Sequence, residues 1–264
     1  MGYRLIASDI DGTLLDSRKR ITPRVESAVR KTEAAGAAFC ISSGRPLCGL
    51  QSFIGQLGLT SPVIACNGAN VMLPDGTVLY ECCLEPDAAR EILDFAKRFG
   101  VTACVWSHER LFVNEMNERT RDYHRMSPLA PLLVSDFSDI CDEGVEKILW
   151  HDEAVRVQKF IKILREEMRS EVNFFTSNPN FLEFVNIRTS KAKALEWLAD
   201  YLGVGLDETI AIGDGFNDLE MLKTAGLGVA MANAADEIKA QCGWIAPSND
   251  EDGVAAVLER FVLS

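Results

Sequence analysis

Short apolar runs recur along the chain, and several of them end in a polar residue. The runs cover residues 5–7, 38–41, 63–66, 210–213, 227–231 and 244–246, and they lead to Asp9, Ser42, Asn67, Asp214, Asn233 and Ser248. Their hydrophobicity is continuous rather than alternating, which is typical of strands buried on both faces. The pattern therefore predicts an α/β fold whose parallel sheet is covered by helices on both sides.

Helical patterns lie between these strands. Thr22 and Pro23 form a favourable N-cap and first-turn pair, and the helix that they begin should end near Gly36. A second helix is predicted over residues 217–224, because Gly226 follows it.

The middle of the chain differs from both ends. Strands predicted at residues 145–150 and 181–185 alternate apolar and polar positions, which favours an antiparallel sheet with one exposed face. Helices predicted at residues 86–99 and 154–168 would cover the other face. We therefore expect an α+β domain over residues 84–188, inserted into a parallel-sheet domain formed by residues 1–83 and 189–264.

Net charge, cysteine content and the length of apolar runs limit the kinds of molecule that the protein is expected to bind. The net charge of −12 argues against general binding to nucleic acid or anionic membranes. The eight cysteines form no C-x-x-C pair and resemble small buried hydrophobic residues of a reducing compartment. No basic and apolar leader precedes the first strand, and no apolar run reaches the roughly 18 residues of a membrane span. We expect a cytoplasmic protein with a small-molecule partner; the oligomeric state, monomer or homodimer, stays open.

Two carboxylates, Asp9 and Asp11, follow the first strand in the sequence Asp9-Ile10-Asp11-Gly12-Thr13-Leu14. Strand ends are where α/β proteins carry out their chemistry. One carboxylate can attack an electrophile such as phosphorus, and the second can donate and retrieve protons. A nearby cation is needed to limit their repulsion, so the motif predicts a metal site.

Candidate anion-binding groups follow other strands. A hydroxyl in Ser42-Ser43-Gly44-Arg45, for which we favour Ser43, can bind an oxyanion with help from backbone amides such as that of Gly44. The Arg45 guanidinium can grip a phosphate at two points. Lys191 lies at a predicted helix start, where an anionic neighbour would offset its unfavourable interaction with the helix dipole.

A second acidic turn follows the predicted strand at residues 210–213. Asp214, Asn217 and Asp218 lie in Gly213-Asp214-Gly215-Phe216-Asn217-Asp218, at a strand-to-helix turn. Oxygen ligands on such a turn suit Mg²⁺. Each of Asn217 and Asp218 alone would also be an ordinary helix cap.

Taken together, these motifs resemble the haloacid dehalogenase superfamily, and within it the Cof-like phosphatases with a type IIB cap. The resemblance also includes Asn67-Gly68-Ala69, Ser190-Lys191 and the stretch at residues 250–255. It implies a Rossmann-like core and an inserted cap that selects the substrate.

The resemblance also implies a role for each site residue. Asp9 would be the nucleophile that forms an aspartyl-phosphate, and Asp11 would be the general acid and base. Phosphate would be bound by Ser43, Gly44, Arg45, Lys191 and Asn217. Magnesium would be held by Asp9, Asp11 through its backbone carbonyl, and Asp214, with Asp218 in the metal site to orient these ligands. Ala192 stands where the family usually has glycine, which leaves Lys193 as the alternative lysine.

The predicted function is a Mg²⁺-dependent phosphatase of small metabolites, with sugar phosphates as the favoured class. Candidate cap residues for the leaving group are Asn114, Arg119, Arg121, Tyr123, His124, Asn178, Asn180 and Glu183. Aromatic residues of the cap leave nucleotides and phosphorylated cofactors open as substrates. The alternatives are a phosphosugar mutase, which uses the same aspartate pair, and a regulatory protein that binds a phosphorylated metabolite without turnover.

Overall fold

The structure is a computed structural model that describes residues 2–127 and 129–264, without the side chain of Met126. The strands are β1 Leu5–Ser8, β2 Ala38–Ile41, β3 Val63–Ala65, β4 Asn70–Met72, β5 Val78–Glu81, β6 Thr102–Ser107, β7 Arg110–Val113, β8 Leu132–Leu133, β9 Lys147–His151, β10 Val172–Asn178, β11 Phe181–Asn186, β12 Thr209–Gly213, β13 Leu227–Met231 and β14 Trp244–Ala246. The α-helices are α1 Pro23–Ala34, α2 Gln51–Leu57, α3 Pro86–Phe99, α4 Glu118–Met126, α5 Ser138–Glu143, α6 Ala154–Glu167, α7 Lys191–Tyr201, α8 Leu219–Thr224, α9 Asp236–Lys239 and α10 Gly253–Phe261. None of the helices described has the length and apolar character needed to cross a membrane.

The chain forms two compact units, Met1–Tyr80 with Ser190–Ser264, and Glu81–Thr189. The first unit contains a five-stranded sheet in the order β14-β13-β12-β1-β2, in which every described pair of strands is parallel. Strands β3, β4 and β5 form a separate small sheet. The predicted α/β class with a parallel-sheet core is confirmed.

Helices cover both faces of the parallel sheet. Successive side chains of each strand point to opposite faces, so each strand contributes to two hydrophobic cores. Ile6 and Ile210 belong to one hydrophobic core, which also contains residues of α1 and α10. Leu5 and Ala211 belong to a second core, which also contains residues of α7 and α8. This arrangement explains why the strand sequences are continuously apolar.

Helix α1 begins and ends close to where its sequence predicts. The hydroxyl of Thr22 accepts a hydrogen bond from the backbone N–H of Val25 at 3.3 Å, and Pro23 occupies the first helical position. The helix predicted from residue 217 begins later, at Leu219, because residues 216–218 belong to the turn after β12.

The second unit contains a six-stranded sheet in the order β10-β11-β9-β6-β7-β8. Its pairs are antiparallel, apart from β7 with β8, which is parallel. Ile92 of α3, Phe160 of α6 and Trp150 of β9 share a hydrophobic core, so these helices cover one face as predicted.

The prediction that the other face of this sheet would be exposed is wrong. Lys147 and Glu183 alternate with core residues, but they are 4% and 6% exposed, and their charged groups form an ion pair at 3.0 Å. Tyr123 of α4 is buried beside them and accepts a hydrogen bond from the indole N–H of Trp106 at 2.8 Å. Polar positions in a strand thus reflect buried pairing here rather than contact with solvent.

Candidate active site

Parallel pairing places two carboxylates at the same edge of the sheet. Strand β1 pairs with β12 so that Ser8 lies opposite Ile212, and the backbone N–H of Asp9 donates to the carbonyl of Ile212 at 2.9 Å. Asp214 follows the last residue of β12, so both carboxylates leave the sheet at its carboxyl edge. Asp9 is 7% exposed.

Glycine at position 12 permits this close approach. Gly12 has a φ of +88°, and a Cβ there would lie 2.4 Å from the Oδ2 atom of Asp214. Thr13, the next residue, donates its hydroxyl to the Oδ1 atom of Asp214 at 2.7 Å. The hydroxyl of Thr13 therefore binds the carboxylate of Asp214, and the absence of a side chain at Gly12 leaves room for that carboxylate.

Lys191, the first residue of α7, extends to both acidic motifs. Its Nζ atom lies 2.5 Å from Oδ1 of Asp9 and 2.6 Å from Oδ1 of Asp218, and the residue is 1% exposed. Lys193, the alternative lysine, points to the surface, where its ammonium pairs with Glu196 at 2.8 Å. The structure therefore brings Lys191, and not Lys193, to the aspartates.

Burial and charge act against each other in this cluster. Burial raises the pKa of Asp9 to about 7, against the lowering effect of Lys191. Burial alone would lower the pKa of Lys191, but Asp9 and Asp218 outweigh it and raise that pKa above its usual value. The lysine is therefore held as an ammonium ion that favours the carboxylate form of Asp9.

The three carboxylates of Asp9, Asp214 and Asp218 each offer an oxygen within 4.8 Å of the others. Burial raises the pKa of Asp214, against the lowering effect of the hydrogen bond from Thr13. An all-oxygen set of this kind fits a hard divalent cation such as Mg²⁺.

Asp218 accepts three hydrogen bonds within the described residues, whereas Asp214 accepts two, from the Thr13 hydroxyl at 2.7 Å and the Asn233 amide at 3.5 Å. Oδ1 is bound by Lys191, and Oδ2 accepts from the backbone N–H groups of Asp214 at 3.2 Å and Gly215 at 2.9 Å. The side chain thus shapes the turn that carries Asp214. This geometry favours a positioning role for Asp218 over direct metal ligation.

Asp11 is engaged by two cations. Nε and Nη2 of Arg45 donate to its two carboxylate oxygens, both at 2.8 Å, and Lys19 donates to one of them at 2.8 Å. Burial acts to raise the pKa of Asp11, but the hydrogen bonds from Arg45 and Lys19 outweigh it and keep the pKa below its usual value. In this arrangement Asp11 is an ionised carboxylate.

Ser43, Gly44 and Asn217 are joined through Asn67. The backbone N–H of Asn67 donates to the carbonyl of Ser43 at 2.9 Å, and the Asn217 amide donates to the Asn67 side chain at 3.2 Å. A Cβ on Gly44 would lie 3.1 Å from the Asn67 amide. The Ser43 hydroxyl accepts from the backbone N–H of Arg45 at 3.2 Å. Hydrogen bonds therefore link Ser43 to Arg45 and, through Asn67, to Asn217, and Gly44 lies against Asn67. Lys191 makes its described contacts to Asp9 and Asp218 instead.

Sequence reasoning missed three contacts to this site. They are made by Lys19, by the hydroxyl of Thr13 and by Asn233, whose amide donates to the carbonyl of Gly12 at 2.8 Å. Asn233 follows β13 and carries the same strand-end signal as Asp214. Lys19 lies in a loop with no distinguishing pattern.

Most of the candidate cap residues make bonds within their own unit. Asn114 bridges the backbone of Val101 and Ala103, and Arg119 pairs with Asp152 at 2.6 Å. The ring of His124 lies 2.9 Å from the carbonyl of Leu129. Tyr123 and Glu183 belong to the buried face described above, and Asn178 and Asn180 form the turn between β10 and β11.

Residues 6–258 match the family described as haloacid dehalogenase-like hydrolase. The chain belongs to this family. The predicted family is thereby confirmed. A putative phosphatase from Haemophilus influenzae is 31% identical over 98% of each chain, and this relative confirms the predicted class of enzyme. A haloacid dehalogenase-like hydrolase of known structure, from Bacteroides thetaiotaomicron, is 29% identical, with a TM-score of 0.89 over 98% of this chain and 99% of its own.

Two further relatives of the haloacid dehalogenase-like hydrolase bear on its fold and class. A 5-amino-6-(5-phospho-D-ribitylamino)uracil phosphatase from Bacillus subtilis is 29% identical over 97% of each chain. A subclass IIB sugar phosphatase of known structure is 23% identical, with a TM-score of 0.83 over 98% of each chain, and it supports the fold alone. The predicted type IIB architecture agrees with that likeness.

Proposed function

We propose that this haloacid dehalogenase-like hydrolase is a Mg²⁺-dependent phosphatase that hydrolyses phosphate monoesters of small metabolites through an aspartyl-phosphate. The observation that carries the proposal is the pairing of Asp9 with the buried ammonium of Lys191, beside Asp214. A buried ammonium favours the ionised form of the neighbouring carboxylate, and the ionised carboxylate is the form that acts as a nucleophile. The same ammonium lies where it can neutralise charge on a transferring phosphoryl group.

The proposed reaction has two steps. A carboxylate oxygen of Asp9 forms a bond to phosphorus while the bond between phosphorus and the ester oxygen breaks, and Asp11 gives its proton to the departing alkoxide. Asp11 then takes a proton from water, whose oxygen attacks the phosphorus and releases inorganic phosphate and free Asp9. Each step conserves atoms and charge, and Asp11 ends as it began.

Asp11 must be protonated for the first step, whereas Arg45 and Lys19 stabilise its ionised form here. We propose that the substrate phosphate competes with Asp11 for these two cations. An incoming dianion that binds Arg45 would withdraw the guanidinium from Asp11 and raise the pKa of that carboxyl. Protonation of the general acid would then be coupled to substrate binding.

The residues present fit Mg²⁺. Asp9 and Asp214 would hold the ion, with the backbone carbonyl of Asp11 as the third protein ligand and Asp218 positioning the turn. The ion would supply neutralisation of the charge on the phosphate oxygens. A cation would complement this acidic cluster, because Lys191 pairs with Asp9 and Asp218, and no ion pair to Asp214 is found among the described residues.

The substrate class that we propose is a phosphorylated sugar or sugar alcohol. One relative is named for a substrate that carries a phosphoribityl group, and that class is polar and anionic. We also propose that the unit Glu81–Thr189 acts as a cap that selects the leaving group.

The test is phosphate release from a panel of sugar phosphates, nucleotides, phosphorylated cofactors and an aryl phosphate. Each compound is assayed with Mg²⁺ and with EDTA. The variants are Asp9→Asn and Asp11→Asn, and the matched control is Asp87→Asn, because Asp87 is an exposed residue of α3. We expect Mg²⁺-dependent release from the wild type and the control, and its loss in both site variants.

Three outcomes would contradict the proposal. Full activity of Asp9→Asn would show that Asp9 is not the nucleophile. Activity that is unaffected by EDTA would show that the reaction does not require a metal ion. Isomerised sugar phosphate without free phosphate would identify a mutase instead. Circular dichroism of each variant checks that the fold is intact.

A further inference from the structure

The second unit contains a separate cluster of potential metal ligands. Glu81 ends β5, His108 lies in the turn between β6 and β7, and Glu146 immediately precedes β9. One carboxylate oxygen of each glutamate and a ring nitrogen of His108 lie within 4.8 Å of one another. The unit thus brings together three ligand side chains from three separate places in the sequence.

The orientation of the His108 ring suits a metal ligand. Its Nε2 atom lies 3.0 Å from the carbonyl of Glu143, and a carbonyl only accepts, so Nε2 carries the proton. In the neutral imidazole, Nδ1 carries the lone pair, and it lies 3.9 Å from Oε1 of Glu81. A ring N–H bound to a backbone carbonyl is the usual outer contact of a metal-bound histidine.

Glu146 provides an independent observation. The residue is 5% exposed, and its Oε1 atom accepts the backbone N–H of His108 at 2.9 Å. Its other oxygen, Oε2, is buried and has no hydrogen-bond partner among the residues that the structure describes. Burial raises the pKa of Glu146 to about 7, which reflects the cost of an uncompensated carboxylate.

We propose that Glu81, His108 and Glu146 form a binding site for a divalent transition-metal ion of the Zn²⁺ type. Such an ion would satisfy the unpaired oxygen of Glu146 and offset the repulsion between the two glutamates. An imidazole ligand favours Zn²⁺ over Mg²⁺ and Ca²⁺, which prefer oxygen ligands alone. The three side chains leave a coordination position open for water.

The ion would have a structural role within this unit. It would tie the end of β5 to the β6–β7 turn and to the start of β9. His108 has a φ of +47°, which is uncommon for a residue with a side chain. Its backbone N–H and its ring are both held by neighbours, so the imidazole is oriented before the ion arrives.

The test is a calorimetric titration of the full chain with Zn²⁺ in excess Mg²⁺, which is added to compete for the all-oxygen cluster of the first unit. We expect one Zn²⁺ per wild-type chain. Glu146→Gln and His108→Ala should each weaken binding by at least about 10-fold, because loss of even an outer-shell partner usually costs 10- to 100-fold. His124→Ala is the matched control, since its ring contacts the carbonyl of Leu129 outside the cluster, and it should bind as the wild type does.

A second readout separates loss of the site from loss of the fold. Zn²⁺ should raise the melting temperature of the wild type and of His124→Ala, because a ligand of the native state stabilises it. It should leave that of Glu146→Gln unchanged, and this variant should melt no lower than the metal-free wild type. Co²⁺ used as a probe should give the visible spectrum of a nitrogen-ligated site in the wild type and not in His108→Ala.

The proposal is overturned if no Zn²⁺ binds in excess Mg²⁺. It is also overturned if binding survives both Glu146→Gln and His108→Ala but is lost in Asp214→Asn. In that case the ion occupies the cluster of the first unit. Neither result depends on phosphatase activity, so the experiment tests the proposed zinc site independently of the proposed function.

Discussion

Lys191→Met is the substitution for which the structure makes the sharpest prediction. The side chain is 1% exposed, and its ammonium is the shared partner of Asp9 and Asp218. Methionine preserves the approximate length of the side chain but removes its charge. Two carboxylates are then left buried without the lysine that now pairs with both.

The expected cost to stability is about 3–5 kcal/mol, the usual result of removing one partner from a buried ion pair. For a unit of this size, that corresponds to a fall in melting temperature of about 10 °C, at roughly 2–4 °C per kcal/mol. Removal of Lys191 also removes the effect that lowers the pKa of Asp9, so this pKa should rise further above about 7. In the metal-free protein, Asp9 would then be mainly protonated at neutral pH, and a protonated carboxyl is a poor nucleophile.

We therefore expect kcat to fall by at least about 100-fold, the typical cost of losing one electrostatic contact to the transition state. The matched control is Lys193→Met, two residues further along the same helix, where the ammonium pairs with Glu196 at the surface. The control should retain the stability and turnover of the wild type.

The assays are thermal and urea denaturation followed by circular dichroism, together with phosphate release in excess Mg²⁺. The reasoning is refuted if Lys191→Met loses less than about 1 kcal/mol, well under the range for a broken buried pair, and keeps most of its activity. It is equally refuted if Lys193→Met is impaired to the same extent.

Three further predictions follow from burial and backbone geometry. Gly12→Ala should abolish phosphate release, because the alanine Cβ would clash with the Asp214 carboxylate. Gly36→Ala is the control and should retain activity, because Gly36 also has a positive φ, +90°, but no atom lies within 4 Å of the added Cβ. Equal losses of activity in the two variants would contradict this prediction. Burial raises the pKa of Cys40 to about 12, so mass spectrometry after alkylation at pH 8 should find this thiol unmodified until urea unfolds the chain, and modification of the folded protein would refute this. Lys147→Met should lower the free energy of unfolding by about 3–5 kcal/mol, and adding Glu183→Leu should recover most of it; no recovery would mean that the pair is not the cause.

Local sequence patterns determined the architecture and the outline of the site. Continuous apolar runs predicted the parallel sheet, since strands buried on both faces have no polar side to reveal. Because the strands are parallel, the residues that follow them meet at one edge, which brings Asp9 and Asp214 together. The sequence likewise predicted that Lys191 lies at a helix start, and it is the first residue of α7.

Only the tertiary structure decided which charges meet. Asp11 is paired with Arg45, 34 residues away, and its low pKa follows from that contact rather than from its own motif. The alternating sequence around Lys147 and Glu183 predicted an exposed face of the sheet. In the structure the two side chains are buried and form an ion pair inside their unit.

The cluster of Glu81, His108 and Glu146 has no local signature either, because its members come from separate strands and turns. Hydrophobic periodicity indicates which side of a helix or strand is buried, and this pattern can be seen within a few consecutive residues of the sequence. Pairing of charges depends on where distant segments of the chain come to lie, so it becomes visible only once the strands are in register.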